Sequence, residues 1–285
     1  MCAKSKIGGN QGMNARNVLT LRRVRSIRTQ QSHSRRAAGR RRFLRPRWVA
    51  AVIAGAAAAV AALLIASSGS ARTVPRALTS DQANRLAITR FRNYQAGGRA
   101  VTITVPGTGG RLIITGSIDY RGKLGYGAVH GTGRDTSSDG LIEWTATTVF
   151  VHPMADAPAD APASPPGSGW YGRPLRTSGS SLDSSLAIAL SLGSDRPDNA
   201  ELLPQNGAVW VGQDRLNGHQ VDVMTGPSAR ATSGTADSVR YWIGSDGTMY
   251  RVRIGVASES QPVVIDFDTQ KYVPVRPVPG VTPTR

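Results

Sequence analysis

Histidine side chains are the first candidates for chemistry in this sequence, because imidazole binds zinc and transfers protons near neutral pH. Three of the four histidines, His130, His152 and His219, lie outside the N-terminal region, and no two of them have the close spacing of a metal-binding pair. The only cysteine, Cys2, is remote from them in the chain. The sequence therefore predicts no metal site and gives no reason to expect a cofactor.

Two short segments resemble reactive motifs in part. The segment from Asp135 to Asp139 has the acidic character of a calcium loop, but it lacks the alternating oxygen ligands and the distal glutamate, which favours a polar hairpin turn. The string Gly167-Ser168-Gly169 has the glycines of a serine-hydrolase elbow, but no strand and helix flank it. We interpret neither segment as a catalytic site.

Glu143 is a carboxylate that stands next to a bulky aromatic residue, Trp144, within a predicted strand. Burial would raise the pKa of this carboxyl group and could make it an acid catalyst. Successive side chains of a strand point to opposite faces, however, so Glu143 faces away from Trp144. The sequence therefore predicts that Glu143 lies on a solvated strand face. We expect no catalytic residue and do not expect an enzyme.

The elements that must position these residues begin with a helix. Thr79-Ser80-Asp81-Gln82 has the form of a capping box, and Leu86, Phe91 and Tyr94 follow at helical spacing until Gly97-Gly98. A second helix is predicted from Leu182 to Leu192. Both helices are short and amphipathic, so each can cover part of a sheet.

Apolar residues at every second position predict strands in most of the remaining sequence. The predicted turns at Asn217-Gly218 and Ser245-Asp246-Gly247 separate strands of the C-terminal half. One strand is predicted over 141–152, with Ile142, Trp144 and Phe150 on the same face. The segment 153–168 contains five prolines and five alanines and is predicted to be an exposed loop.

Basic residues dominate the N-terminal arm. Met1–Trp48 holds fourteen Lys and Arg and no Asp or Glu, so the rest of the chain has 21 basic and 18 acidic residues and is nearly neutral despite the formal net charge of +17. The arm therefore accounts for the excess charge, and nucleic-acid binding is not expected. We predict that the arm is disordered and lies near anionic lipid.

An uncharged run from Val49 to Ala66 follows the arm and is just long enough to cross a bilayer as a helix. The positive-inside rule then places the arm in the cytoplasm and the rest of the chain outside the cell. A cleaved signal is the alternative, because Arg40-Arg41-Arg42-Phe43-Leu44-Arg45 resembles a twin-arginine motif and Ser68, Ser70 and Ala71 could form a processing site.

The sequence thus divides into a basic cytoplasmic arm (1–47), a transmembrane helix (48–67), a linker (68–78), an extracytoplasmic domain (79–273) and an extended Pro-rich tail (274–285). The predicted fold class of the domain is α+β. It consists of a curved antiparallel sheet of about nine or ten strands, a half-barrel with a few covering helices, preceded by one transmembrane helix.

This order of elements resembles the outer-membrane lipoprotein carrier (LolA) superfamily, including the LppX and LprG type of envelope lipoproteins. The resemblance rests on the order of the predicted elements and on the strand-rich pattern over Thr79–Val273. It implies a concave apolar face, closed by helices, that holds acyl chains. The abundance of Arg, Ala and Gly resembles the amino-acid usage of actinobacterial proteins.

The predicted strands carry more apolar residues than two short helices can cover, so we expect either a packed core or a pocket for a lipid or another apolar ligand. The alternative to a binding protein is a structural or sensory ectodomain without a ligand. The predicted pocket residues are Ile103, Ile114, Ile118, Trp144, Phe150, Leu186, Leu190, Val221, Val223, Tyr241, Val252, Ile254, Ile265 and Phe267.

Overall fold

The computed structural model describes residues 74–107, 109–133, 138–178, 180–226, 239–256 and 260–279. The predicted arm, the predicted transmembrane helix 48–67 and the end of the tail lie outside these residues. Among the helices of the described ranges, none is both long and apolar enough to cross a membrane.

Three helices and twelve strands make up the described part of the chain. The helices are α1 (Ser80–Gln95), α2 (Ser181–Ser191) and α3 (Leu202–Gln205). The strands are β1 (Arg76–Ala77), β2 (Gly98–Gly107), β3 (Gly110–Asp119), β4 (Leu124–Gly133), β5 (Gly140–Trp144), β6 (Thr148–Pro153), β7 (Tyr171–Pro174), β8 (Val209–Leu216), β9 (His219–Thr225), β10 (Arg240–Gly244), β11 (Met249–Ile254) and β12 (Val263–Phe267).

The twelve strands form one open, curved antiparallel sheet, in the order β1-β8-β9-β10-β11-β12-β2-β3-β4-β5-β6-β7. The pairing of β12 with β2, with Ile265 opposite Ile103, places the C-terminal strands beside the N-terminal ones. This confirms the large antiparallel sheet with few helices. Asn217 (φ 49°) and Gly218 (φ 82°) both have positive φ angles, and they form the turn that closes the predicted β8–β9 hairpin.

The capping box at the start of α1 is also confirmed. The Gln82 backbone N–H donates to Thr79 Oγ1 at 3.3 Å, and the Thr79 backbone N–H donates to Gln82 Oε1 at 3.1 Å. The helix ends before Gly97, whose φ of 85° is in the left-handed region. α1 therefore has the length that its sequence predicts.

The single predicted strand over 141–152 is wrong. Thr145 Oγ1 accepts hydrogen bonds from the backbone N–H groups of Thr147 and Thr148, at 3.3 and 3.1 Å, and so forms a tight turn between β5 and β6. Trp144 then pairs with Val149, and Glu143 with Phe150. The turn moves Phe150 to the face opposite Trp144, because it resets the alternation of the side chains.

The inner face of the sheet is the one that carries Ile103, Ile114 and Phe267, and the helices pack against it. α2 lies over β2, β3 and β4 and buries Leu186 and Ala189 in the main core. α1 lies over β2, β10 and β11. A second, smaller inner-face cluster joins α1 to α3, β9 and β10 through Leu86, Ala87, Leu203, Ala208, Met224 and Ile243.

Two irregular segments cover part of the outer face. The first is the Pro/Ala loop, residues 154–170 between β6 and β7, and the second is the strap, residues 270–279 after β12. Half-buried side chains of the loop and of the strap's Val275 pack against Tyr126, Ala128 and Leu141 of β4 and β5. The predicted loop is therefore only partly exposed, and both segments bury apolar surface.

Candidate functional site

Eleven of the predicted pocket residues share the inner face of the sheet or lie on α2 above it. Most of them have no exposed surface, which means that they line no water-sized cavity and form a packed core. This group comprises Ile103, Ile114, Ile118, Trp144, Leu186, Leu190, Tyr241, Val252, Ile254, Ile265 and Phe267. The structure therefore brings these side chains together, but closes the space that the sequence left open.

The remaining three predicted pocket residues, Phe150, Val221 and Val223, lie on the outer face. Val223 pairs with Trp242, and both belong to a separate outer-face cluster with Val221. The prediction placed Val221 and Val223 on the inner face, because Asp222 between them is charged. In the structure Asp222 is the residue that lies on the inner face. The Asp222 carboxylate lies 2.7 Å from the guanidinium of Arg85 on α1, and this ion pair allows it to be buried.

A cleft of about 370 Å³ opens on the inner side of the sheet, between α1 and the segment that contains α3. We call it the inner cleft. Of the predicted pocket residues, it includes only Tyr241. Its lining residues are Leu86, Thr89, Arg90, Asp198, Asn199, Leu202, Leu203, Asn206 and Tyr241.

The inner cleft combines buried apolar side chains with a partly exposed ion pair. Leu86 and Leu203 are about 95% buried, at 5% and 6% exposure. The Arg90 guanidinium donates through Nε to Asp198 Oδ2 at 3.1 Å, and the Asp198 backbone N–H donates to the Ala87 carbonyl at 3.0 Å. The hydrogen bond that Arg90 donates to Asp198 raises the pKa of Arg90, which therefore stays charged.

A second cleft, of about 210 Å³, opens on the outer face, and we call it the outer cleft. The floor comes from β3 and β4, one wall from the Pro/Ala loop and the other from the segment 270–273. The lining residues are Thr115, Gly116, Ser117, Tyr126, Asp160, Ala161, Pro162, Gln270, Lys271 and Val273. None of these residues was predicted to belong to a site.

Hydrogen bonds hold the strap over the floor of the outer cleft. Gln270 Nε2 donates to the backbone carbonyls of Val101 and Gly116, at 3.1 and 2.8 Å. The Val273 backbone N–H donates to Ser117 Oγ at 3.1 Å. A side chain at Gly116 would clash with the Tyr126 carbonyl, because a Cβ there would lie 2.1 Å from it. The floor is therefore a close-packed pair of backbones.

Glu143 lies beside this cleft and is fully buried, so the predicted solvated position is wrong. The residue does face away from Trp144, as the alternation indicates, but the strap covers that face. Both carboxylate oxygens of Glu143 lie 3.0 Å from the Val278 backbone nitrogen, which donates to them. Burial raises the pKa of Glu143 to about 7, and the hydrogen bond from Val278 lowers it only in part.

Tyr126 stands next to Glu143 across the β4–β5 pair and lines the outer cleft. Its side chain is 6% exposed, and its hydroxyl group has no hydrogen-bond partner within the described ranges. Burial raises the pKa of Tyr126 to about 12, with a smaller contribution from the negative charge of Glu143. The hydroxyl is therefore a protonated donor without an acceptor.

The histidines do not form a site with each other. His130 Nε2 lies 2.8 Å from the Pro158 carbonyl of the Pro/Ala loop, the His152 ring lies 5.2 Å from the Trp170 ring at a tilt of 44°, and His219 stacks on Tyr250. Within the residues that the structure describes, no three His, Cys, Asp or Glu side chains come together as a possible metal site. In the partly described segment Asp135–Asp139, Asp139 Oδ1 accepts a hydrogen bond from the Gly131 N–H at 2.6 Å, and the Asp139 carbonyl accepts one from the Met154 N–H at 3.0 Å.

Neither a protein-family model nor a curated protein matches this sequence. Among solved structures, the chain is similar to an uncharacterized conserved protein from Thermus thermophilus, with 9% identity, a TM-score of 0.32, and coverage of 62% of this chain and 80% of that chain. It is also similar to a DUF1329 family protein from Desulfovibrio piger, with 13% identity, a TM-score of 0.29, and coverage of 70% and 93%.

A third similar structure is a putative outer membrane lipoprotein-sorting protein domain from Vibrio parahaemolyticus. The identity is 11%, the TM-score is 0.25, and the match covers 66% of this chain and 91% of that chain. At such TM-scores the three similarities carry no argument about function, which must come from the clefts of this chain itself.

Proposed function

We propose that this chain is a membrane-anchored binding protein whose domain takes up a lipid or another apolar molecule at the inner cleft. The observation that carries the proposal is the composition of this cleft, where core side chains meet a charged rim. Leu86 and Leu203 provide apolar surface, and the Arg90–Asp198 pair provides polar groups. Such a surface suits an amphiphile, which has an apolar chain and a polar end.

The apolar chain of the ligand would extend from the inner cleft into the space between α1 and the sheet. That space is filled in the structure, so uptake requires α1 to move away from β10 and β11. Each methylene group transferred from water to this surface contributes about 0.8 kcal/mol. A long acyl chain therefore supplies enough free energy to offset the partial opening of the inner-face core.

A structural or sensory ectodomain without a ligand is the second candidate. The packing of the inner face favours it, because Ile103, Trp144 and Phe267 have 0% exposure. The two functions differ in one measurable property, which is the ability of the inner face to open around an apolar molecule. We do not propose a catalytic role for any residue of the two clefts.

The proposed location of the domain is outside the cell, on a single transmembrane helix formed by residues 48–67. The support is the uncharged run after an arm with fourteen basic residues and no acidic ones. The arm would lie at the cytoplasmic surface, near anionic lipid, and we propose no nucleic-acid partner for it. Export with cleavage of the signal remains the alternative that the twin-arginine-like string supports.

The binding proposal predicts that the compact unit Ser68–Arg285 takes up a fluorescent fatty acid in a saturable way and carries lipid after purification. Asn206 is exposed and lines the inner cleft, so Asn206→Trp places an indole at the opening. We expect this variant to lower the affinity for the fatty acid by about tenfold. Fluorescence titration and mass spectrometry of extracted lipids measure the two effects.

Glu201→Trp is the matched control, because Glu201 is exposed on the same segment but does not line the cleft. This variant should bind like the unchanged protein. If the unit carries no lipid and shows no saturable uptake, the binding proposal is wrong and the structural or sensory ectodomain is favoured. If both tryptophan variants bind normally, the ligand does not enter at the inner cleft.

A further inference from the structure

The outer cleft is separate from the inner cleft, because the sheet lies between them. Its floor residues Thr115 and Ser117 point to the opposite side from Ile114 and Ile118, which belong to the inner-face core. A ligand in the outer cleft would therefore contact neither α1 nor α2. The outer cleft requires its own explanation.

Most polar groups around the floor of the outer cleft already have partners. Ser117 Oγ accepts from the strap, and both carbonyl bonds of Gln270 Nε2 are made within the chain. The Tyr126 hydroxyl is different, because it is buried and has no partner in the described residues. A buried hydroxyl without a hydrogen bond carries an uncompensated desolvation cost. A ligand with an acceptor atom would remove this cost.

The surroundings of Tyr126 also select the charge of a ligand. Glu143 is buried beside Tyr126 on the neighbouring strand, and Asp160 stands in the wall of the cleft. A negative charge on these carboxyl groups repels an anion, although Lys271 on the opposite wall offers one exposed positive charge. An uncharged ligand avoids both the repulsion and the cost of burying a charge.

The size of the outer cleft limits the ligand to a small molecule. A dry protein cavity of about 150 Å³ holds one benzene molecule. The outer cleft, with about 210 Å³, therefore accommodates a single ring with one short substituent. Ala161, Pro162 and Val273 supply apolar surface around such a ring.

We propose that the outer cleft is a second binding site, which takes a small uncharged molecule with one aromatic ring and an oxygen acceptor for the Tyr126 hydroxyl. The site is independent of the lipid site that we propose on the inner side. Its polar recognition depends on one residue, Tyr126, and its shape depends on the strap and the Pro/Ala loop.

The test uses the full chain in lipid nanodiscs with ¹³C-labelled alanine methyl groups, and empty nanodiscs as the reference for partitioning. Acetophenone is the probe, because it has one ring and a carbonyl acceptor. Ethylbenzene has the same shape without the acceptor, and benzoate carries a negative charge. We expect saturable shifts of the Ala161 and Ala128 methyl signals, with acetophenone binding roughly three- to tenfold more tightly than ethylbenzene. Benzoate should bind more weakly than both.

Tyr126→Phe should remove the preference for acetophenone over ethylbenzene and leave ethylbenzene binding unchanged. This substitution keeps the ring and removes only the unpaired hydroxyl, so the variant should fold with an unchanged or higher Tm. Ala161→Leu should weaken both probes, because it fills the cleft. Asn206→Trp, at the inner cleft, should change neither.

Two results would overturn the proposal. In the first, the shifts do not saturate, or they fall on residues of the inner cleft. In the second, Tyr126→Phe retains the preference for acetophenone. Neither result bears on fatty-acid uptake by the unit Ser68–Arg285, so failure of the outer site and failure of the inner site can be distinguished.

Discussion

At the scale of single residues, Glu143 shows how a covering segment changes the chemistry of a strand position. Its neighbours across the sheet are Tyr126 and Phe150, and Val278 of the strap closes the face above it. A carboxyl group removed from water loses the hydration that stabilises its charged form. Burial therefore raises the pKa of Glu143 from 4.5 to about 7.

Glu143 should make the stability of the domain depend on pH. Between pH 4.5 and 7 the folded state binds a proton at Glu143 that the unfolded state has lost, so the free energy of unfolding falls as the pH rises through this range. Glu143→Gln cannot lose that proton and keeps an acceptor for Val278. At pH 8 we expect the variant to be more stable than the unchanged protein by on the order of 3 kcal/mol.

Denaturant unfolding at pH 5 and at pH 8 measures this effect as a difference between the two proteins. The exposed Glu201 provides a control, because Glu201→Gln should leave the pH dependence of stability as it is in the unchanged protein. If Glu143→Gln has the same pH dependence as the unchanged protein, Glu143 is ionised in the fold at pH 5. In that case its burial is compensated by polar contacts.

At the scale of elements, the strap and the Pro/Ala loop act as a third layer over β4 and β5. Neither contains a helix or strand, and they contact each other through Arg276, whose Nη1 lies 3.2 Å from Ser164 Oγ. Val278 is 3% exposed, and Val275 packs against Tyr126, Ala128 and Leu141. This layer buries Tyr126 and Leu141, which would otherwise face water.

Truncation after Gln270 should therefore destabilise the domain. It removes the hydrogen bonds to Ser117 and Glu143 and exposes the apolar surface under Val275 and Val278. We expect a loss of about 3 kcal/mol, since burial of one valine contributes about 1.5–3 kcal/mol. For a domain of this size that loss lowers the Tm by about 6–12 °C.

Calorimetry of the purified truncated chain measures the Tm. A shorter truncation after Gly280 is the control, because it retains every described contact of the strap. An unchanged Tm in the longer truncation would show that the strap does not stabilise the sheet. The outer cleft would then have no permanent wall on that side.

At the scale of the whole molecule, the proposed anchor determines where the two clefts operate. If residues 48–67 cross the membrane with the arm in the cytoplasm, both clefts face the extracytoplasmic space. Protease added to intact cells should then remove the domain after Ser70 and leave a tag on the arm protected. Immunoblotting of both ends measures this. A protected domain would reverse the topology, and a soluble mature form would favour a cleaved signal.

Local patterns in the sequence were enough to predict several elements. The capping box at Thr79–Gln82, the helix that follows it and the Asn217-Gly218 hairpin depend on residues close in the chain, and the structure confirms them. The antiparallel sheet with few helices follows from the same period of two, repeated over many strands. These features need no knowledge of distant contacts.

The strand faces and the clefts depended on side-chain contacts that the period of two does not reveal. The side-chain hydrogen bonds of Thr145 divide one predicted strand in two, and the pairing of Asp222 with Arg85 turns Val221 and Val223 to the outer face. Thr145, whose side chain can accept backbone hydrogen bonds in a turn, was the available signal for the division of the strand. Asp222, a charge within an apolar strand, was the signal for the orientation of Val221 and Val223.

Burial was decided only by the tertiary structure. The alternation of β5 correctly places Glu143 and Trp144 on opposite faces of the sheet, but it carries no information about what covers the face of Glu143. The strap that covers Glu143 is more than a hundred residues away in the chain, and its proline-rich composition predicts only an extended backbone. Local periodicity determined which residues share a strand face, whereas the packing of distant segments decided which faces water reaches and where the clefts remain open.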